Sequence, residues 1–419
     1  MPTSHRRLTG FCLTVATAVT AGMLATSVLA VEPGARGVAD GRVVAAPATA
    51  QPTPASPTPP TPPPASEPPL SLPQVEKPSA PELPALGAFL ASGADGVRRI
   101  PELERWLSGT NLRVGHTYLP GDLWSNIEGR PAFLNAWAQW RRADADRMLV
   151  LNVPMLERNE AGVPDQEVRE LLRAGADGAF DHHFRLLAER LVRMGVPETV
   201  IVLGWEMNGT TYTHRCGPDP QAWKAYWRRI VTTMRSVPGA WFRFDFTPNR
   251  GRDAIPWPQC YPGDDVVDII GLDSYDQPPG EDFEDHINQP YGLRHHVEFA
   301  KAHGKPISYP EWGLFRNGDN PAYMRGMLAW FAEHKPLYQT ITDYCPHGVW
   351  QCDENPRAAA VYRQALSDLA HVTDANSVAV TPAHPGAAAT AEQDGCPPPR
   401  LGDPLQRSLT ARRCQHPAV

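Results

Sequence analysis

The chain has little charge and no surplus of the basic kind. Charged residues make up 20 % of it, and 46 acids outnumber 39 bases for a formal net charge of −7. Nucleic-acid binding needs Lys and Arg clustered over phosphates, so nucleic acid is not an expected partner. The signatures of nucleotide and metal chemistry are lacking too: no Walker loop and no HExxH motif occurs. Phe89–Gly96 reads FLASGADG and has no Gly-rich phosphate loop of the kind an open doubly wound sheet carries after its first strand. Cys345 and Cys352 have six residues between them, too wide for a zinc knuckle. The pairs His182-His183 and His295-His296 fall on expected helices, where adjacent side chains point apart. Neither a metal site nor a cofactor is expected.

Proline is abundant instead, with 46 residues unevenly placed. Fifteen of them lie within the thirty-eight residues Pro47–Pro84, among Ala, Ser and Thr. Such a segment buries no core and reads as an extended linker over residues 31–85. Ahead of it, His5-Arg6-Arg7 precede an uncharged apolar stretch, Phe11–Ala30, that closes on the small-residue site Val28-Leu29-Ala30. That is the pattern of an export signal over residues 1–30; left uncleaved, it would anchor the chain. A secreted protein is expected, held at the cell surface or wall through the linker in the anchored case. Six cysteines follow the signal, an even number that suits disulfides in an exported chain. Loop adjacency suggests Cys216–Cys260, Cys345–Cys352 and Cys396–Cys414. The last pair sits in an Ala/Pro-rich, irregular C-terminal tail, residues 371–419.

Between these flanks, residues 86–370 alternate strands and helices. Apolar runs predict strands at Leu86–Leu90, Leu112–Gly115, Met148–Val153, Val200–Leu203, Trp241–Phe246, Val266–Gly271, Pro306–Tyr309 and Thr340–Tyr344. Helical periodicity falls at Gly96–Leu107, Pro131–Arg142, Asp181–Met194, the stretch opened by Asp219-Pro220, His286–His303, Pro321–His334 and Pro356–Leu369. Trp223, Tyr226 and Trp227 lie on the apolar stripe of one of these helices and read as packing residues. Gly251–Asp265 reads mostly as loop, leaving little for a helix after strand five. Eight such units in 285 residues approach the roughly 250 of a (β/α)8 TIM barrel, the expected fold, and a monomer is expected.

In such a barrel, chemistry belongs where strands end. The run Val200–Leu203 is apolar and then turns abruptly polar at Trp205, Glu206 and Asn208. Strand six ends in Asp273-Ser274-Tyr275-Asp276 and strand seven in Pro310-Glu311-Trp312-Gly313. Glu206 and Glu311 are 105 residues apart, three strand–helix repeats, so they should face each other across the barrel mouth. One carboxyl that protonates a leaving oxygen and another that attacks or activates water is the arrangement glycosidic cleavage needs. Candidate substrate contacts are Trp205, Asn208, His116, Tyr118, Trp124, Asn249, Asp273, Trp312 and Trp350. The three outlying indoles would be platforms for sugar faces. Asp245 and Asp268 read as structural hydrogen-bonders.

The ends WEMNG, DIIGLDSYD and PEWG, with GAFLASGADG at strand one, resemble glycoside hydrolase family 26, in the clan of retaining glycosidases that use strands four and seven. The resemblance spans most of the barrel. It implies Glu206 as acid/base, Glu311 as nucleophile, and Tyr275 as the hydroxyl that orients Glu311. It also implies an oligo- or polysaccharide substrate, foremost β-1,4-mannan cleaved internally. Mixed-linkage glucan, xylan or another cell-wall polysaccharide are alternatives, as is a carbohydrate-binding barrel without turnover. One position departs from the family: mannanases of this type carry His before the acid/base Glu, and this chain carries Trp205. An indole donates one hydrogen bond and accepts none, so sugar recognition there should differ.

Overall fold

The computed structural model describes residues 84–278, 280 and 282–378. The export segment, all but the end of the linker, most of the C-terminal tail and the Cys396–Cys414 pair lie outside the described residues. The strands are β1 (Ala85–Phe89), β2 (Val114–Tyr118), β3 (Met148–Val153), β4 (Val200–Leu203), β5 (Arg243–Phe246), β6 (Ile269–Gly271), β7 (Ser274–Asp276), β8 (Ile307–Leu314) and β9 (Tyr338–Thr342). They pair in parallel in the order β6-β5-β4-β3-β2-β1-β9-β8, and β6 pairs with β8 to close the ring. β7 is a short spur that pairs with the far end of β8. Eight staves with intervening helices make the (β/α)8 barrel.

Why continuous apolar runs become these strands is visible in their two faces. Val114, Val150, Val200, Val202, Ile269 and Tyr338 fill a small inner cluster, while Leu149, Leu151, Ile201, Leu203 and Ile270 join the larger cluster beneath the helices. A stave buried on both sides needs no polar alternation. The inner residues stop abruptly near the carboxyl ends, where His116, Asn152, Asp245 and Thr342 take over, all buried.

Several elements differ from the sequence reading. A helix at Asp165–Ala176 was not expected; its Val168, Leu172 and Gly175 are buried within a long stretch that otherwise looks like connection. The helix expected over His286–His303 is two, Phe283–Asn288 and Leu293–Ala302, separated at Pro290 and the left-handed Tyr291. The last helix continues past Leu369 to Val378. After β5 there is only one 3-10 turn, Trp257–Cys260. In the helix Pro220–Arg235 the aromatics pack as expected: the Tyr226 hydroxyl donates to the Met155 carbonyl at 2.6 Å and the Trp227 indole to the Leu203 carbonyl at 3.1 Å.

One irregularity bears directly on the barrel mouth. On β8, Tyr309 pairs with Gln339 and Trp312 with Ile341, three steps against two on β9. The extra residue is a bulge, which reverses the alternation of faces. Below it, Ser308 points inward and donates to Asp245 at 2.6 Å. Above it, Glu311 points inward, and Trp312 turns out to meet Phe331 edge-on at 5.1 Å.

Two disulfides tie the loops at the carboxyl ends, Cys216–Cys260 and Cys345–Cys352. The first joins the loop after β4 to the loop after β5 across 44 residues of chain. Closing a loop of that length restricts the unfolded chain by about 3–4 kcal/mol. The Cys216→Ala/Cys260→Ala pair should therefore lose about that much in denaturant unfolding under non-reducing conditions, and an unchanged midpoint would refute the entropic account.

Candidate active site

The turn that ends β4 is built on two left-handed residues, Gly204 (φ 61°) and Glu206 (φ 49°). The left-handed φ favours glycine at 204, and a Cβ there would lie 2.5 Å from the Met155 sulfur, which would have to shift. Glu206 holds a conformation that costs a non-glycine residue about 1–2 kcal/mol. Its backbone N–H donates to the Thr247 carbonyl at 2.8 Å, and its own carbonyl accepts from Gly209 at 3.1 Å. Thr247 in turn donates its hydroxyl to the buried Asp245 at 2.9 Å, and Tyr338 donates to the same carboxylate at 2.7 Å. The strained turn is thus held by a polar core under the barrel mouth, and Asp245 is structural as read. Asp268 is too, accepting from Phe244 N–H and pairing with Arg235, both at 2.8 Å.

Glu311 lies deeper and is surrounded by donors. Asn152 Nδ2 donates to its Oε1 at 3.1 Å and the Tyr275 hydroxyl to its Oε2 at 2.8 Å. Tyr118 adds a looser hydrogen bond. Each donor has its own support. Tyr275 sits 2.8 Å from the Thr342 hydroxyl, and the Asn152 amide is oriented by His116 Nε2, 2.9 Å from Asn152 Oδ1. Burial lowers the His116 pKa to about 4, so the ring is neutral and donates from Nε2.

The two carboxyls are unequal. Burial raises both, and Glu206 is pushed to about 8 by desolvation first, then by the charges of Glu311 and Asp253, with a hydrogen bond from Tyr212 opposing. Against the same burial, Glu311 keeps three hydrogen bonds that favour its ionised form. Two interacting acids in these surroundings share a proton unequally, and Glu206 is the one that holds it. Glu206 is thus the proton-holding member of the pair and Glu311 the more readily ionised one. Asp273 is a third buried acid; burial, then the charges of Glu311, Glu206 and Asp245, push its pKa well above the usual carboxylate range, against a hydrogen bond from the Glu311 backbone.

Of the residues read from the sequence, Glu206, Glu311, Tyr275, Tyr118, Trp205 and Asp273 come together. Others do not. His116 is fully buried and reaches Glu311 only through Asn152. Asn208 is buried and clamps Asn249, accepting from its N–H at 2.8 Å and donating to its carbonyl at 3.0 Å, so its side chain is spent on the loop. Asn249 also bonds Asp253, at 3.1 Å. Trp312 is buried outside the barrel with its indole N–H on Gln339 at 2.6 Å, and is no sugar platform. Nor is Trp124, which stacks on His183 at 4.2 Å and Phe180 at 4.8 Å. Trp350 leans on the outer core, with its backbone N–H on Asp343 at 2.9 Å. The His182 and His183 rings come within 3.7 Å rather than apart, with His183 occupied by Glu128 at 2.9 Å. His295 and His296 do diverge: His296 is bonded to the Ile270 carbonyl and His295 meets Trp257 edge-on.

Sequence reading missed Asn152, Tyr212, Thr342 and Tyr344. Asn152 had a signal, as the one polar residue inside MLVLNV. Tyr212, in the loop after β4, had none. It lies 5.1 Å from Trp205, which also meets Tyr118 edge-on at 5.5 Å. Phe89 and the 46 % exposed Tyr344 extend this aromatic wall on the β1 and β9 side.

No curated protein matches the chain. Among solved structures, the barrel is similar to the Bacillus subtilis mannanase BCman (15 % identity over 67 % of this chain and 84 % of that one, TM-score 0.49). It is similar to a β-mannanase of family 26 from Bacteroides ovatus (16 %, 67 % and 88 %, TM-score 0.49). A modular endo-β-1,4-mannanase from Cellulomonas fimi is also similar (19 %, 68 % and 71 %, TM-score 0.49). Residues 188–314, a segment that contains Glu206, Tyr275 and Glu311, match the model of glycosyl hydrolase family 26. Over that segment the barrel carries the pattern of glycosyl hydrolase family 26, which is that of a glycoside hydrolase.

Proposed function

We propose that the protein is a retaining β-glycosidase that cleaves β-1,4-mannan internally, acting outside the cell. The observation that carries this reading is the unequal carboxyl pair: Glu206 is held protonated near pH 8 while Glu311 has the hydroxyls of Tyr275 and Tyr118 and the Asn152 amide on its oxygens. In the first step the Glu206 proton passes to the glycosidic oxygen as the C–O bond to the leaving sugar breaks and a Glu311 oxygen bonds to the anomeric carbon. Once Glu311 is an ester it carries no charge, and the electrostatic push on Glu206 falls. Glu206 then ionises more readily and takes the proton of the water that displaces Glu311, restoring both groups. Tyr275, Asn152 and, through it, His116 keep Glu311 oriented. Trp205 and Tyr118 wall the sugar site, and the motif resemblance favours mannan. The two disulfides suit an oxidising, extracellular setting.

A panel of β-1,4-mannan, galactomannan, mixed-linkage glucan and xylan tests the reading by reducing-end release and product sizing. Mannan should be cleaved to oligosaccharides with retention at the anomeric carbon. Cleavage of another glycan alone would move the substrate, and inverted product would overturn the mechanism. Micromolar oligosaccharide binding without hydrolysis would make the barrel a binding module.

A further inference from the structure

Among the described strands β7 pairs with β8 alone, yet all three of its residues are buried. Buried carbonyls on such a spur need donors from elsewhere. Two side chains supply them. The Tyr323 hydroxyl, from the helix Pro321–His334, donates to the Ser274 carbonyl at 2.6 Å. Arg250, just past β5 and 7 % exposed, donates from Nη2 to the Tyr275 carbonyl at 2.9 Å and to the Gln277 carbonyl at 3.3 Å. Its backbone N–H donates to the Asp273 carbonyl at 2.9 Å, next to the parallel bridge between Asn249 and Asp273. Arg250 thus holds residues 273–277 by main chain and side chain together.

The guanidinium is poorly satisfied in return. Among the described residues, its Nε and Nη1 find no acceptor. Asp276, between the two carbonyls that Arg250 holds, is occupied by Asn317 at 2.8 Å, Asn320 at 2.9 Å and His286 at 3.3 Å. A buried cation short of partners lowers stability, and a fold that keeps one is following a demand other than packing. What the arginine delivers is Tyr275, whose hydroxyl donates to Glu311 Oε2 at 2.8 Å. That hydroxyl stands at the far end of a rigid ring, so a small tilt of the Tyr275 backbone is enlarged at the oxygen. We propose that Arg250 is a positioning residue whose grip on the Tyr275 and Gln277 carbonyls fixes the Tyr275 hydroxyl on Glu311. The inference rests on the retaining-glycosidase reading for its effect on turnover, and on hydrogen-bond geometry alone for the placement of Tyr275.

Arg250→Met keeps much of the stem and removes the donors. In crystals of the full chain, the Tyr275 hydroxyl of this variant should stand beyond about 3.5 Å from Glu311 Oε2, out of hydrogen-bond range. Its kcat on the cleaved polysaccharide should fall by about 10–100-fold, with KM within about threefold of wild type. A double-mutant cycle separates positioning from general damage. On a Tyr275→Phe background, Arg250→Met should cost less than about threefold, because the hydroxyl it places is already gone. Arg250→Lys keeps one donor and should show a smaller loss; it takes the place of Arg250→Met in the cycle and the crystals if that variant does not fold. Equal losses on both backgrounds, or a hydroxyl still at hydrogen-bond distance, overturn the inference. A wild type that hydrolyses no glycan, with the hydroxyl displaced in the variant, removes the glycosidase reading and leaves Arg250 as the residue that places Tyr275.

Discussion

Glu311→Gln should lower turnover on the polysaccharide by at least about 10⁴-fold while leaving substrate binding close to wild type. Gln has the shape of Glu, so the bulged strand and its neighbours need not move. Asn152 and Tyr275 lie 3.1 and 2.8 Å from the two oxygens, and Tyr275 has the Thr342 hydroxyl as a second partner. What Gln removes is the charge and the nucleophilic oxygen. With no bond formed to the anomeric carbon, the first step has no product, and general acid assistance from Glu206 alone cannot replace it.

A 2-deoxy-2-fluoro glycoside with a good leaving group separates this from mere misplacement. It should label the wild type at the Glu311 peptide, because the slow second step traps the ester, and should leave Glu311→Gln unlabelled. Tyr275→Phe keeps the nucleophile and should still be labelled, more slowly. A Glu311→Gln enzyme with more than about one per cent of wild-type turnover would remove Glu311 from the role of nucleophile.

How far this site could be read from the sequence depended on what periodicity can carry. The strand ends bearing Glu206 and Glu311 were legible because the strand runs Val200–Leu203 and Pro306–Tyr309 give way to acids at a fixed repeat of the chain. The face of the strand each residue occupies was not. Simple alternation from Ser308 would send Pro310 and Trp312 inward and Glu311 outward. The bulge between Tyr309 and Trp312 reverses that, which is why Glu311 is in the site and Trp312 is not. Loop residues were the other loss. Trp124 and Trp350 were assigned to the mouth by position along the chain, yet a tryptophan on a short helix near Phe180 and His183 buries more apolar area by stacking on them than by waiting for a sugar. Tyr212 shows the converse: its place against Trp205 is set by Arg215 and Cys216, contacts made across the fold to Asp165 and Cys260 that no local pattern encodes.

Glu206→Ala should lose about 10²–10⁴-fold in kcat/KM on the polysaccharide, whose leaving sugar needs a proton, and far less on an aryl glycoside whose leaving group departs unprotonated. On the aryl substrate the second step becomes limiting, since no base activates water. Azide, small and already nucleophilic, should restore turnover there and release a glycosyl azide of retained configuration. The pH profile gives an independent check: with the Glu206 pKa raised to about 8, wild-type kcat/KM should fall as pH climbs through that value, and the variant should lack this limb. Stability should fall with rising pH as well. The folded protein holds the Glu206 proton up to about 8 while the unfolded chain releases it near the ordinary glutamate value of 4.5, so the folded state binds more protons throughout that window and loses stability as pH rises through it. Removing the carboxyl removes that loss, so Glu206→Ala should gain on wild type in thermal stability between pH 5 and 8 as pH increases, apart from any constant offset from the lost side chain. A variant that azide does not rescue, and whose activity falls equally on both substrates, would show that Glu206 transfers no proton. A half-buried acid kept at a left-handed turn, against both backbone strain and desolvation, is then best understood as a position the fold sustains for its chemistry, since neither term favours the folded state.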